Sequence, residues 1–136
     1  MAFLETRQSR RVLEGIAPVK VPLAEAVKAG DCLGDNSGAW VLSADAAAEQ
    51  PVLVAGEDGA IGDIITTYPV AVVEVVTTVA NKATQGAKVA LKDDGCYQAA
   101  GANLPDVGFV ASVGADEKTA VLFLCPLAPQ LTVVRA

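Results

Sequence analysis

Residues 51–79 constrain the fold more than any other stretch. They read Pro-Val-Leu-Val-Ala, then a Gly/Asp-rich connection, then a long run of Ile, Thr and Val interrupted by Pro69. β-Branched side chains lose rotamer freedom in a helix and pack well on a pleated surface. The apolar positions carry no helical period. The glycines of Ala55-Gly56-Glu57-Asp58-Gly59 permit a tight reversal. The stretch predicts a strand, a turn and a long strand that Pro69 bends or places at a sheet edge.

The same order returns downstream. An apolar run at 105–111, a polar turn at 112–118 and a β run at 119–126 closed by Pro126 repeat the pattern. Landmarks recur at near-constant spacing: Gly30 and Gly86 lie 56 apart, Gly38 and Gly95 57, Trp40 and Tyr97 57, Val54 and Val110 56, Pro69 and Pro126 57. This spacing predicts an internal duplication, residues 29–79 against 85–126. Two copies are too few for a solenoid, so the expected fold is all-β: a compact sandwich or barrel of two similar strand-rich halves.

Between these landmarks, Leu33 to Leu42 predicts a hairpin with Asp35-Asn36-Ser37-Gly38 at its tip. Lys88 to Lys92 predicts a half-exposed strand, Asp93-Asp94-Gly95 a hairpin turn and Cys96 to Ala99 the return strand. Residues 44–50 are expected as a loop or a helical turn. Leu131-Thr132-Val133-Val134 is expected to pair within the sheet or with a neighbour's edge.

Residues 1–22 read differently from the single β domain expected over 23–136. Pro18 and Pro22 enforce extended backbone, and residues 9–14 have at most one helical turn in them. Phe3, Leu4, Val12 and Leu13 have no local core to enter, and Arg7, Arg10 and Arg11 add positive charge. These seven residues are the candidate docking set of an extended N-terminal arm, directed at another protein or a neighbouring subunit.

The 136-residue chain is long enough for one real core. Its net charge of −6 is uneven: five basic and three acidic residues over 1–28, five basic and thirteen acidic beyond. An acidic body argues against nucleic acid as the main partner, since phosphate binding requires a concentrated basic face. No apolar run is long enough for a membrane helix, and no secretory signal is legible.

Histidine is absent, so Ser-His-Asp and Cys-His arrangements are excluded, and no metal framework or cofactor fingerprint is legible. Glu57-Asp58 and Asp93-Asp94 adjoin glycines and read as solvated turns rather than catalytic pairs. Cys32, Cys96 and Cys125 are expected as reduced thiols, Cys125 in the core and the other two partly exposed. No enzyme is expected.

The order Ala29-Gly30-Asp31, then Gly38-Ala39-Trp40-Val41, then Pro51 through Asp63 resembles the capsid decoration (head-stabilising, cement) proteins of tailed phages, over roughly residues 20–125. The resemblance implies a β-sandwich or barrel with an N-terminal arm. It implies a virion protein, made in the host cytoplasm, that binds the outside of an icosahedral shell and braces it. The implied partners are the major capsid protein and further copies of itself, a trimer being favoured. No catalytic residues carry over. The basic residues of the first 28 positions depart from a purely acidic decorator and would face an acidic capsid surface. The alternatives are another phage structural subunit (tail tube, head-joining or minor capsid) and, from a different class, a small-molecule-binding β-barrel.

Overall fold

The longest regular alternation lies in Val70–Thr77, where Ala71, Val73, Val75 and Thr77 are buried and the residues between them are half-buried. Such a strand needs one covered face and two paired edges, and the chain supplies both. The computed structural model describes residues 5–43, 51–78, 80–91, 95–100 and 106–127. Eleven strands are assigned among them, in two sheets that pack together as a β-sandwich.

In chain order they are β1 (Glu5–Ile16), β2 (Val19–Pro22), β3 (Cys32–Asn36), β4 (Ala39–Leu42), β5 (Pro51–Ala55), β6 (Ile64–Tyr68), β7 (Val70–Thr77), β8 (Lys88–Leu91), β9 (Tyr97–Ala99), β10 (Asp106–Val113) and β11 (Thr119–Leu124). One sheet has the order β2-β6-β5-β3-β4, the other β1-β7-β11-β10-β8-β9. All pairings between these strands are antiparallel.

The two halves share one topology. Strands β2–β6 make a unit with its first strand beside its fifth, then its fourth, second and third. Strands β7–β11 repeat that order, and β1 adds a sixth strand to the second sheet. Register follows suit. Leu33 pairs with Leu42 and Val89 with Ala99; Leu33 then pairs with Leu53 and Gly34 with Pro51, as Val89 pairs with Gly108 and Ala90 with Asp106. A bulge thus recurs at Val52 and Val107. Gly30 and Gly86 have φ of 87° and 85°, and their amides donate to Ala55 O and Val110 O at 2.8 Å. Both sit in the left-handed region that a Cβ disfavours. The second unit begins at β7, directly after Pro69, so that proline marks the crossing between sheets rather than a bend inside one strand.

The first sheet curls until its outer strands meet. Leu23 bridges Trp40 in parallel, and Ala24 N–H donates to Trp40 O at 2.9 Å. Val21, Leu23, Val27, Leu33, Leu53, Ala55 and Ile65 fill the space enclosed. The larger core lies on the inner face of the second sheet and includes Val73, Val75, Val89, Leu91, Tyr97, Val110, Leu122 and Leu124, with Cys32 and Val54 entering from the first sheet.

Local turn chemistry agrees with the sequence. In the β3–β4 hairpin Ser37 and Gly38 both have positive φ (54° and 92°), and Asp35 Oδ1 accepts the Gly38 amide at 2.8 Å. That is the type I′ geometry suited to right-twisted strands. Glu57 and Asp58 are exposed turn braces: Glu57 Oε2 accepts Thr66 N–H at 2.9 Å and Asp58 Oδ1 accepts Ala29 N–H at 2.8 Å. Residues 44–50, Asp93-Asp94 and Leu131 to Val134 lie outside the described residues.

The repeat bounds expected at 29–79 and 85–126 are corrected to β2–β6 and β7–β11, because β7 pairs in the second sheet. Three further expectations are corrected. Residues 5–22 are extended, but they form β1 and β2 of the body, one in each sheet, instead of an arm ahead of it. Residues 9–14 make no helical turn, because β7 offers them a partner strand. Cys32 and Cys96 are buried and Cys125 is half-buried, the reverse of the expected ranking.

Candidate docking edge and its internal clamp

Among the described residues, strand β1 is the only element outside the repeated units, and it lies at an edge of the six-stranded sheet. It pairs with β7 from Glu5↔Thr77 to Ile16↔Val70. Its other side has no strand partner among the described residues, which leaves a row of main-chain donors and acceptors for an added strand.

β1 is not regular. Between Thr6 and Arg11 it advances five residues while β7 advances from Val76 to Glu74, and a second shift separates Val12 from Glu14. Bulges of this kind re-aim side chains. Arg10, in the first irregular stretch, turns into the protein. Its side chain is 1% exposed and forms an ion pair with Asp31, which is fully buried. Arg10 Nη2 donates to Gly95 O at 3.0 Å, and the guanidinium lies 4.5 Å from the centroid of the Tyr97 ring.

Around this clamp the polar groups are matched. Asp31 Oδ2 accepts the Lys28 amide at 2.8 Å. The Tyr97 hydroxyl donates to Gly30 O at 2.5 Å, and Cys32 Sγ lies 3.3 Å from the same hydroxyl. The phenol has one proton, so the thiol is left to donate to it. Burial pushes the Tyr97 phenol well above its ordinary value of 10.0, with Cys32 adding to the rise and the Arg10 charge opposing it. The cluster joins β1, the first unit through Gly30, Asp31 and Cys32, and the second through Gly95 and Tyr97. It is a structural lock. Glycine makes room for it: a Cβ on Gly30 would stand 3.0 Å from Arg10 Cδ and 3.2 Å from Val73 Cγ1.

The seven candidate docking residues therefore divide. Arg10 is withdrawn into the lock, and Val12 points inward against the larger core. Neither is available to a partner, because the bulge and the pairing of Val12 with Val73 direct them inside. Arg11 and Leu13 remain outside; Arg11 is 71% exposed and 3.6 Å from Glu74, and Leu13 is 45% exposed. The backbone of Arg7 runs in β1, while Phe3 and Leu4 lie outside the described residues.

The sequence reading missed two groups. Asp31, Gly95 and Tyr97 meet Arg10 across 21 to 87 positions, and no local pattern announces such a meeting. Ile16, Val19, Ile61, Ile64 and Phe109 are apolar and exposed. Their alternation reads as ordinary core pattern until the sheets are assembled.

No protein-family model matches the chain, and no curated protein matches it.

Proposed function

We propose that this chain is a structural virion protein that binds the outer surface of an icosahedral phage capsid and stabilises it, with the major capsid protein as its partner. The supporting observation is the open β1 edge, with Leu13 and Ile16 exposed at 45% and 58%. An added strand gains main-chain hydrogen bonds there with little demand on sequence. The buried Arg10–Asp31 pair holds that edge to both units, so docking does not have to order it. Many identical weak contacts on a lattice then sum to firm attachment.

The test is co-sedimentation with mature and immature capsids of the same source. Wild-type protein saturates mature shells at a fixed ratio to the major subunit. Leu13→Lys/Ile16→Lys, which charges the open edge at exposed positions, abolishes that binding while the protein stays folded. Full binding by this variant, or none by wild type, overturns the proposal. Self-assembly of the pure protein into tubes or rings would favour a tail-tube or head-joining subunit. Deleting residues 1–16 is a poor test, because it removes an integral strand and the lock with it.

A further inference from the structure

The outer face of the six-stranded sheet is more apolar than a solvated antiparallel face should be. Beside Glu74, β7 presents Val70, Val72 and Val76 outward, and β11 presents Val121 and Phe123. Phe109 on β10 is 43% exposed and stacks on Phe123 with centroids 5.3 Å apart.

One register row crosses five adjacent strands of this face. Glu14 of β1 pairs with Val72 of β7, Val72 with Phe123 of β11, Phe123 with Phe109 of β10, and Phe109 with Lys88 of β8. Directly opposed residues share a face. The row therefore reads acid, Val, Phe, Phe, base. Glu14 and Lys88 are exposed, and neither has an ion-pair partner among the described residues.

The internal repeat shows what such a row is used for. Its counterpart in the first unit is Cys32, Val54 and Tyr68, which pair in the same way across β3, β5 and β6. There Cys32 and Val54 are buried against the second sheet's core and Tyr68 packs against it. The same face is an interface in one unit and, among the described residues, has no element laid over it in the other.

We propose that a second copy of this chain covers this face, in a two-fold dimer whose axis runs parallel to β11 at Phe123. Reversing the row about β11 sets Phe123 on Phe123, Phe109 over Val72, and Lys88 over Glu14 at both ends. A face that matches its own reverse in charge and in apolar content suits an isologous contact. Four strand gaps give a width of about 19 Å, and the six steps from Val70 to Val76 give a length of about 20 Å. With side-chain margins the pair buries roughly 1,000 Å², at the lower bound for a specific interface, so the dimer is weak and reversible, with Kd on the order of micromolar. The dimer does not depend on the capsid-binding proposal, which uses the main-chain groups of β1, although Ile16 of that edge adjoins this face through its pairing with Val70.

The test is sedimentation equilibrium of the full chain from about 1 to 300 μM, where the 13.8 kDa monomer is expected to convert to a species of twice that mass. Phe109→Asp abolishes the conversion. Lys88→Glu or Glu14→Lys alone weakens it about tenfold, and Glu14→Lys/Lys88→Glu together restore it to within about threefold of wild type. All these positions are exposed, and far-UV circular dichroism checks that each variant keeps its fold. A chain that stays monomeric throughout, a stable trimer, a dimer indifferent to Phe109→Asp, or a double variant no tighter than the singles overturns the proposal.

Discussion

Replacing Arg10 by alanine is expected to cost far more than its place in an edge strand suggests. The Arg10 and Asp31 side chains are 1% and 0% exposed, so truncating one leaves the other as a buried charge without its counter-ion. Asp31 keeps the Lys28 amide, a neutral donor. Gly95 O loses its guanidinium donor and the Tyr97 ring loses its cation. Breaking a buried pair from one side costs about 3–5 kcal/mol, and the lost Gly95 bond and ring contact fall within that figure rather than adding to it. For a chain of this size each kcal/mol moves the midpoint by about 3–4 °C, giving a fall of roughly 10–20 °C. Urea unfolding followed by the fluorescence of Trp40, with thermal circular dichroism beside it, measures both quantities. Arg11→Ala is the control: its partner Glu74 is 3.6 Å away and Arg11 is 71% exposed, so it should change stability by less than about 0.5 kcal/mol. Arg10→Met/Asp31→Leu, which removes both charges, should lose less than Arg10→Ala. A loss below about 1 kcal/mol in Arg10→Ala, or equal losses at Arg10 and Arg11, would refute the lock.

The repeat supplies a matched pair of glycine substitutions. Gly86→Ala places a Cβ in open space at φ 85° and should cost about 1–2 kcal/mol of backbone strain. Gly30→Ala has the same strain at φ 87° and also presses on Arg10 and Val73, so it should cost clearly more in the same urea experiment. Equal costs would mean that the lock has slack. Tyr97 ties stability to alkaline pH. Its folded value is raised above 10.0, so its contribution is complete below pH 10 and is lost as pH rises from there through the folded value. Tyr97→Phe should be less stable than wild type at neutral pH, by about 1 kcal/mol for the lost bond to Gly30 O, and should decline less above pH 10. Parallel pH profiles for the two proteins would contradict this.

Much of the architecture was legible because it is local and repeated. The runs of Val, Ile and Thr define strands by stiffness at χ1, and Gly30, Gly38, Gly86 and Gly95 mark reversals where φ must be positive. The near-constant spacing of 56–57 anticipated two similar halves but set them at 29–79 and 85–126, whereas the structure divides the strands as β2–β6 and β7–β11, so that residues 70–77 open the second half instead of closing the first. The unit boundary at Pro69 was not legible, since β6 and β7 are separated by a single residue and the crossing between sheets leaves no gap in the pattern.

The candidate site was legible only in part. Leu13 and Arg11 are on the surface, where the sequence placed them, but Arg10 and Val12 beside them are inside. Alternation alone cannot separate these neighbours, because two bulges shift the face that β1 presents. Local chemistry in the sequence determined that this chain makes strands, where it turns and that it does so twice. Only the tertiary structure decided that residues 5–22 join the two sheets, that Arg10 meets Asp31 and Tyr97, and that Glu14, Val72, Phe123, Phe109 and Lys88 fall into one row. The physical reason is range: torsional preference acts between neighbours, whereas strand pairing and burial bring together residues as far apart as Arg10 and Tyr97.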